Sequence, residues 1–271
     1  MSTSGTVLIT GASSGFGAAL VDTFAGAGWT VAATMRTPAK APARFAGMDN
    51  VTVYQLDVTD DEAVTTTVSG IEEARGPITV LLNVAGYVVQ GTLEELGLDQ
   101  LRAQLETNVV GLSAVIKAVL PQMRSARRGH IINFSSGGGL IGVPRLDAYV
   151  ASKFAVEGLS EALSRDLAHL GVQVTIVEPG VFATGLGGSA VGPENPIADY
   201  DAASALLPDL YDWTPGNLDA AAAAIEEIAD KPDAPLRLYV GHGLDDVQRH
   251  YRHRLDSWDQ TAPITATTLS G

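Results

Sequence analysis

The sequence alternates short runs rich in β-branched residues with longer amphipathic stretches, and this alternation most constrains how the chain can fold. It predicts strands at Thr6–Thr10, Trp29–Thr34, Val51–Leu56, Ile78–Leu82, His130–Phe134, Val172–Val177 and Leu236–Val240. It predicts helices at Gly15–Gly28, Asp60–Arg75, Asp99–Ala126 with a break near Asn108, Tyr149–Leu170, Leu218–Ala229 and Leu244–Trp258. Strands that are continuously apolar and separated by helices indicate a parallel sheet that is covered on both faces.

We therefore predict an α/β protein with a Rossmann-like, doubly wound parallel sheet of about seven strands. No linker or internal repeat interrupts the pattern, so residues 1–271 are expected to form a single domain. Residues 184–215 lack periodicity and are rich in Gly, Pro, Ala and Asp. Long loops of this kind are commonly functional, and we expect this one to cover the substrate. Residues 243–271 are expected to form a helical tail.

Composition excludes several classes of function. The formal charge of −14 repels phosphate backbones, so nucleic acid is not expected as a partner. The chain has no cysteine, which excludes disulfides, thiolate metal sites and a cysteine nucleophile. The five histidines lack the spacing of metal ligands, so no metal is predicted. No continuous apolar run is long enough to span a bilayer, and we expect a cytoplasmic protein.

A glycine-rich loop connects the first predicted strand to the first predicted helix. Its sequence is Thr10-Gly11-Ala12-Ser13-Ser14-Gly15-Phe16-Gly17. Glycines permit a tight turn and let the backbone approach a pyrophosphate, and the helix N-terminus supplies free N–H groups. The position between strand and helix favours a dinucleotide site, whereas the alternative is a turn that serves packing alone.

The end of the second strand predicts which nicotinamide cofactor is used. Enzymes that bind NAD usually place an acid here, but this chain has Met35 followed by Arg36. A guanidinium can bind a 2′-phosphate in bidentate fashion, and Ser14 offers a further hydroxyl, with Lys40 a more distant charge. We therefore expect NADP(H). The alternative is that Arg36 is an ordinary exposed arginine.

Tyr149 and Lys153 are four residues apart, which places both on one face of a predicted helix. Ser136 closes the fifth strand 13 residues before Tyr149, and Ser135 beside it is an alternative. Reduction of a ketone needs a proton as the hydride arrives, and a tyrosine is a poor acid near neutrality unless its anion is stabilised. We expect Lys153 to lower the pKa of Tyr149. Ser136 is expected to hydrogen-bond the carbonyl oxygen.

Together these motifs resemble the short-chain dehydrogenase/reductase family, in its roughly 250-residue subgroup. The glycine loop matches the family motif at Thr10, Gly11, Gly15 and Gly17, while Phe16 replaces the commoner isoleucine. The resemblance implies that Asn108, Ser136, Tyr149 and Lys153 are the catalytic residues. It also implies that Asn108 holds a water linking Lys153 to solvent, and that Lys153 holds the nicotinamide ribose.

The resemblance implies further cofactor contacts after the third, fourth and sixth strands. Asp57 and Val58 match an adenine-contacting segment, although Asp57 could instead be a turn or capping aspartate. Asn83-Val84-Ala85-Gly86 matches an Asn-Asn-Ala-Gly motif except at Val84, and the segment 179–184 matches a motif that meets the nicotinamide carboxamide. The implied cofactor-binding residues are Thr10, Gly11, Ser13, Ser14, Gly15, Phe16, Gly17, Arg36, Asp57, Val58, Asn83, Ala85, Gly86, Tyr149, Lys153, Pro179, Gly180, Phe182 and Thr184.

The expected activity is hydride transfer between NADP(H) and a ketone, an aldehyde or a secondary alcohol. Similarity to hydroxysteroid and retinol dehydrogenases suggests a lipophilic substrate, in a pocket walled by Leu140, Val143, Tyr87 and residues within 185–213. One alternative is a nucleotide-sensing binding protein without turnover. Another, an epimerase or dehydratase of the nucleotide-sugar branch, conflicts with the glycine spacing. The family suggests a homodimer or homotetramer, formed through the helices near 99–126 and 149–170.

Overall fold

A single sheet of seven parallel strands organises the computed structural model, which describes residues 5–184 and 190–268. The strand order is β3-β2-β1-β4-β5-β6-β7. This arrangement confirms the predicted doubly wound, Rossmann-like sheet. The strands are β1 (Thr6–Ile9), β2 (Thr30–Met35), β3 (Val51–Gln55), β4 (Ile78–Asn83), β5 (Gly129–Phe134), β6 (Val172–Pro179) and β7 (Arg237–Val240).

Helices connect the strands and cover both faces of the sheet. They are α1 (Gly15–Gly26), α2 (Asp61–Arg75), α3 (Leu98–Leu105), α4 (Leu112–Ala126), α5 (Asp147–Leu167), α6 (Leu207–Leu210), α7 (Leu218–Ala229) and α8 (Leu244–Thr267). Alternate residues of each strand face opposite layers. In β1, Val7 and Ile9 pack into the core beneath α1 and α7, whereas Leu8 packs into the core beneath α2, α4 and α5.

Most predicted boundaries agree with the structure to within two residues, and the break near Asn108 is a π-helical turn, Glu106–Gly111. Asp60 caps α2 as predicted, because its carboxylate accepts from the Ala63 N–H. Two regions differ. The segment expected to be a loop contains a 3₁₀ stretch, Ala198–Leu206, followed by α6, while residues 185–189 lie outside the described residues. The last helix continues nine residues beyond Trp258.

The stretch Leu98–Ala126 passes a simple test for a membrane-spanning helix, with a mean hydropathy of 1.2, by length and composition alone. Core helices of soluble proteins pass the same test. Here Val115, Val119 and Met123 are fully buried in the core between α4 and the sheet. The hydropathy of this stretch is therefore explained by packing.

The strand order reverses direction between β1 and β4, and ligands of open parallel sheets bind outside the carboxyl ends of the strands at such a point. The glycine loop follows β1, and the segment Asn83–Gly86 follows β4. The topology therefore brings these two predicted segments side by side.

Candidate active site

The glycine loop forms a cradle that side chains would fill. Gly11 and Gly15 have φ angles of +69° and +53°, which are strained for residues with a Cβ. A Cβ on Gly17 would lie 2.2 Å from the Gly11 carbonyl oxygen. Ser14 precedes α1 without capping it, and the first turn of α1 carries no acidic residue. The exposed N-terminus of α1 therefore suits a pyrophosphate.

Thr10 holds the loops after β1 and β4 together. Its hydroxyl accepts from the backbone N–H groups of Val84 and Ala85, at 3.0 and 3.1 Å. A Cβ on Gly11 would lie 2.8 Å from the Ala85 Cα, so the two loops touch. The buried Thr10 hydroxyl thus positions the cradle and does not line it.

Arg36 follows the buried end of β2 and is exposed, as is Ser14. Within residues 5–184 and 190–268, no hydrogen bond or ion pair engages the Arg36 guanidinium. Burial raises the pKa of Tyr87, and the charge of Arg36 partly offsets that rise. The Arg36 guanidinium is therefore free to meet an anion.

Asp57 lies in a tight turn after β3. Its Oδ1 accepts from the N–H and the hydroxyl of Thr59, at 3.1 and 2.8 Å. These bonds hold the turn, and the adenine contact of Asp57 stays a prediction. Neighbouring Val58 is buried and packs against Gly111 of the π-helical turn.

Asn83 is turned into the sheet. Its Nδ2 donates to Asn133 Oδ1 at 3.0 Å, and Asn133 Nδ2 in turn donates to Ser160 Oγ of α5 at 2.9 Å. The Asn83 side chain therefore belongs to a buried chain of amides running towards α5. Ala85 and Gly86 remain at the cleft, and a Cβ on Gly86 would lie 3.1 Å from Asn108 Oδ1.

Tyr149 lies in the first turn of α5, is 8% exposed and lines the same small cavity as Ser136. The Lys153 Nζ lies 5.7 Å from the centre of the Tyr149 ring. Ser136 also accepts from the Gly138 N–H at 3.1 Å, which fixes its hydroxyl at the end of β5. Ser135 points the other way, towards Glu157. Of the two serines, Ser136 is thus the one that meets the tyrosine.

The pKa of Tyr149 shifts in the direction opposite to the expectation. Burial raises the pKa of Tyr149, and the hydrogen bond with Ser136 offsets this only in part. Burial lowers the pKa of Lys153 to about 8. The Lys153 ammonium donates to the Phe134 carbonyl at 2.7 Å. The pKa of Tyr149 is therefore raised rather than lowered as predicted, because desolvation of the phenolate outweighs the opposing effect of Ser136.

Asn108 is held by hydrogen bonds on both sides of its amide. Its Oδ1 accepts from the Tyr87 N–H, and its Nδ2 donates to the Tyr87 carbonyl and to Ser152 Oγ, each at 3.1 Å. The π-helical turn thereby fixes the loop after Gly86 against α5 at Ser152, the residue before Lys153. The side-chain amide thus anchors the Tyr87 backbone to α5.

Pro179 and Gly180 end β6 beside the cleft, and a Cβ on Gly180 would meet the His242 carbonyl oxygen at 2.3 Å. The Phe16 ring contacts those of Phe182 and Phe134, with centroids 4.7 and 5.3 Å apart. Thr184 lies against Gly15. The aromatic cluster ties the glycine loop to the ends of β5 and β6, so the larger Phe16 has a packing role.

The chain matches the family model described as short chain dehydrogenase over residues 5–194. It is 35% identical to the oxidoreductase BOA17 of Botryotinia fuckeliana over 86% of this chain and 87% of that protein. It is 42% identical to retinol dehydrogenase 8 of Homo sapiens over 66% of this chain and 59% of that protein.

The chain belongs to the short-chain dehydrogenase family.

Solved structures agree with that assignment. A short-chain dehydrogenase from Streptomyces avermitilis superposes with a TM-score of 0.90 at 34% identity, covering 98% of this chain and 99% of that one. A closed form of serine dehydrogenase complexed with NADP+ superposes with a TM-score of 0.75 at 26% identity, covering 87% and 94%. The protein is thus an oxidoreductase of a family that uses nicotinamide cofactors.

A small cavity lies beside Tyr149 in this short-chain dehydrogenase. Its volume is about 70 Å³, enough for the reacting end of a substrate rather than for a drug-sized molecule. Val143 lines it as predicted, whereas Leu140 is buried outside the lining and Tyr87 packs in a separate cluster with Val89 and Leu96. The apolar lining residues that the sequence did not single out are Ile141, Leu146 and Val181, and Tyr211 and Trp213 come from the expected loop.

A larger cavity of about 630 Å³ lies at the opposite end of the sheet, around the first residues of β5 and β6. It contains none of the predicted site residues. No group of three or more His, Asp or Glu side chains in the described ranges could hold a metal ion.

An ionic cluster behind Lys153, made of two buried carboxylates and a partly exposed arginine, was missed by the sequence analysis. Arg237 of β7 bonds Glu157 of α5 and, at 2.6 Å, Glu178 of β6. Burial raises the pKa of both carboxyls, and Arg237 opposes that rise. Glu157 lies one turn after Lys153 on the same helix face, so the four-residue spacing was the available signal.

Proposed function

We propose that this short-chain dehydrogenase transfers a hydride between NADP(H) and a lipophilic ketone, aldehyde or secondary alcohol, with Tyr149 as the general acid/base. The observation that carries the proposal is the buried Tyr149 beside Ser136 in the lining of a cavity with mostly apolar walls. Lys153 lies one helical turn away. Each of these groups has a chemical part to play in the reduction of a carbonyl.

The cofactor site fits a dinucleotide, because the cradle of Gly11, Gly15 and Gly17 leaves room where any Cβ would intrude. The bound cofactor supplies or accepts the hydride. Arg36 and Ser14 are both exposed where a 2′-phosphate would be recognised, and a guanidinium meets phosphate with two parallel hydrogen bonds. The NADP+ complex of the related serine dehydrogenase supports the same choice.

The protein groups handle the proton and the developing charge. Ser136 and Tyr149 both donate to the substrate oxygen, and Tyr149 delivers its proton as negative charge builds on that oxygen. Lys153 is a cation below about pH 8 and favours the phenolate that remains. Asn108 holds Ser152 and the Tyr87 backbone, which keeps α5 in place against the cleft.

Substrate class follows from the lining of the cavity. Ile141, Val143, Leu146 and Val181 make its walls apolar, and Trp213 closes one side. Burying such surface around the substrate favours a hydrocarbon rather than a charged molecule. Retinol dehydrogenase 8, by its name, acts on a lipophilic alcohol.

The test is the oxidation of NADPH and of NADH, followed by absorbance, with a panel of aliphatic and cyclic ketones and aldehydes. We expect turnover with NADPH in preference to NADH. Arg36→Asp should lower that preference by about tenfold to a hundredfold, since a charge-assisted hydrogen bond contributes roughly 1.5–3 kcal/mol. Arg124→Asp, the same change at an exposed arginine in the last turn of α4, is the matched control and should change the preference little.

Turnover with an unchanged preference in Arg36→Asp would exclude the role of Arg36. Tight NADPH binding without turnover on any carbonyl would favour the nucleotide-sensing alternative. Failure to bind either cofactor would overturn the proposal as a whole.

A further inference from the structure

The C-terminal helix α8 leaves the body of the protein after its first turns. Val247 is the residue of this helix that is buried. Arg254 makes the last anchoring contacts, donating to the Leu140 carbonyl at 2.9 Å and lying over the Phe154 ring. From Leu255 to Thr268 every residue is exposed. A helix of this length is marginal in water without tertiary contacts, so this part of α8 needs a partner.

One face of α8 is apolar and uncovered. Tyr251, Leu255, Trp258 and Ala262 follow one another at intervals of four, three and four residues, which aligns them on the helix. Tyr251, Leu255 and Trp258 are 41%, 56% and 66% exposed. This spacing is typical of the seam between two paired helices.

Opposite charges lie along one side of that seam. Arg252 and Asp259 are seven residues apart, so both lie on the same flank of the apolar face. Neither makes a hydrogen bond or ion pair with any residue in the described part of the chain. In an antiparallel pair of identical helices, each flank meets the same flank of the other helix. The two residues would therefore meet each other across the pair.

We infer that α8 pairs in antiparallel fashion with α8 of a second copy of this chain. With Leu255 opposite Trp258 of the second copy, Tyr251 lies opposite Ala262, so large side chains meet small ones. The same register places Arg252 opposite Asp259, twice by symmetry. Such a two-fold interface is self-complementary, and both ion pairs relieve the repulsion between two chains of charge −14.

The charges disfavour a membrane surface as the partner. A helix that binds anionic lipid carries cations along its polar face. The cations of α8 lie at or before Arg254, whereas the exposed part 255–268 carries Asp256 and Asp259 and no Lys or Arg, so anionic headgroups would repel it. A second copy supplies the cation that Asp259 lacks, whereas an anionic bilayer does not.

Charge reversal tests the pairing. Sedimentation velocity of the full chain from about 1 to 100 μM should show association that both Arg252→Asp and Asp259→Arg weaken by about tenfold. The double variant restores the ion pairs in the opposite sense and should associate within about threefold of the original chain. Reductase activity at low concentration should be unchanged in all three, because both residues lie on the exposed part of α8.

Cross-linking measures the register directly, since the chain has no cysteine. In the inferred register the two copies of residue 255 are offset by about 4 Å along the helix axis, and those of residue 264 by about 22 Å. Leu255→Cys should therefore form dimers with a short bismaleimide, while Ile264→Cys, equally exposed, should not.

Three results would overturn the inference. One is association that neither single reversal changes. Another is a double variant as weak as the single ones. The third is a chain that stays monomeric at about 100 μM but sediments with vesicles of phosphatidylserine and phosphatidylcholine. That result would make a lipid surface the partner.

Discussion

The helices α5 and α8 are similar in length, at 21 and 24 residues, but their surroundings are opposite. The buried residues of α5 are Ala148, Tyr149, Ser152, Lys153, Val156, Glu157, Ser160 and Leu167, whereas α8 buries Val247. Both helices carry tyrosines, cations and acids. In α5 the side chains of Tyr149, Lys153 and Glu157 are buried, with Lys153 bonded to Phe134 of β5 and Glu157 to Arg237 of β7, while most of those in α8 face water.

The difference shows that burial, rather than residue type, shifts the pKa values of these side chains. Desolvation lowers the pKa of Lys153 to about 8 and raises that of Tyr149. It also makes the contacts of Glu157 with Arg237 costly to break. Side chains of the same kinds on α8 remain available for contacts with another molecule.

The largest expected effect separates two tyrosines. Tyr149→Phe should lower kcat for carbonyl reduction by about 100-fold to 10,000-fold, the range that a general acid contributes. Tyr251→Phe on α8 is the matched control and should leave kcat unchanged, because the Tyr251 hydroxyl is exposed away from the cleft. Steady-state kinetics with NADPH measure kcat for both variants. Equal losses of kcat would show that Tyr149 has no special role in the reaction.

The next effect is a loss of stability in acid caused by His130 of β5. Burial lowers the pKa of His130 to about 4 from 6.5. The Ala229 carbonyl can only accept, so Nδ1 carries the proton of the neutral ring, while Nε2 lies 2.9 Å from Thr175 Oγ1, whose hydroxyl donates to the Pro235 carbonyl. Below pH 6.5 this histidine binds a proton in the unfolded chain, whereas in the folded protein it stays neutral until about pH 4. The free energy of unfolding should therefore fall by about 3 kcal/mol across this window.

Urea titrations of the wild type and of His130→Gln at several pH values measure this contribution. The variant is less stable at pH 7, but its stability should fall less between pH 6.5 and pH 4. Identical slopes for the two proteins would show that the buried histidine does not contribute.

The smallest effect compares two arginines. Arg237→Met leaves Glu157 and Glu178 buried without their cation, and should lower the free energy of unfolding by about 2–3 kcal/mol. This is the low end for a broken buried pair, since the Arg237 side chain is 39% exposed. Arg252→Met on α8 should change stability by less than about 0.5 kcal/mol. Thermal unfolding in dilute solution compares them, and a similar loss in both would remove the distinction between the helices.

The sequence sufficed for features that depend on local patterns. The period of the apolar residues predicted the seven strands and the helices between them, because parallel strands must be buried on both faces. The glycine spacing predicted the cradle after β1, since Gly11 and Gly15 need positive φ angles. The sequence spacing also predicted that Ser136, Tyr149 and Lys153 lie close together, because the first follows a strand end and the other two share one helix face.

Other features depend on residues that are distant in the sequence. The structure turned the Asn83 amide into the sheet, directed Ser135 away from Tyr149 and set Arg237 behind Glu157, 80 residues apart. The sequence could not predict the rise in the Tyr149 pKa either, because desolvation depends on everything that packs around the phenol.

The amino-acid sequence by itself therefore determined the sheet, the glycine cradle after β1 and the proximity of Ser136 and Tyr149, all of which follow from local periodicity and spacing. Tertiary structure alone decided which of the polar side chains are desolvated and which remain exposed on α8. The physical reason is that burial is a property of the assembled neighbours, and no residue's own spacing specifies how much water they exclude.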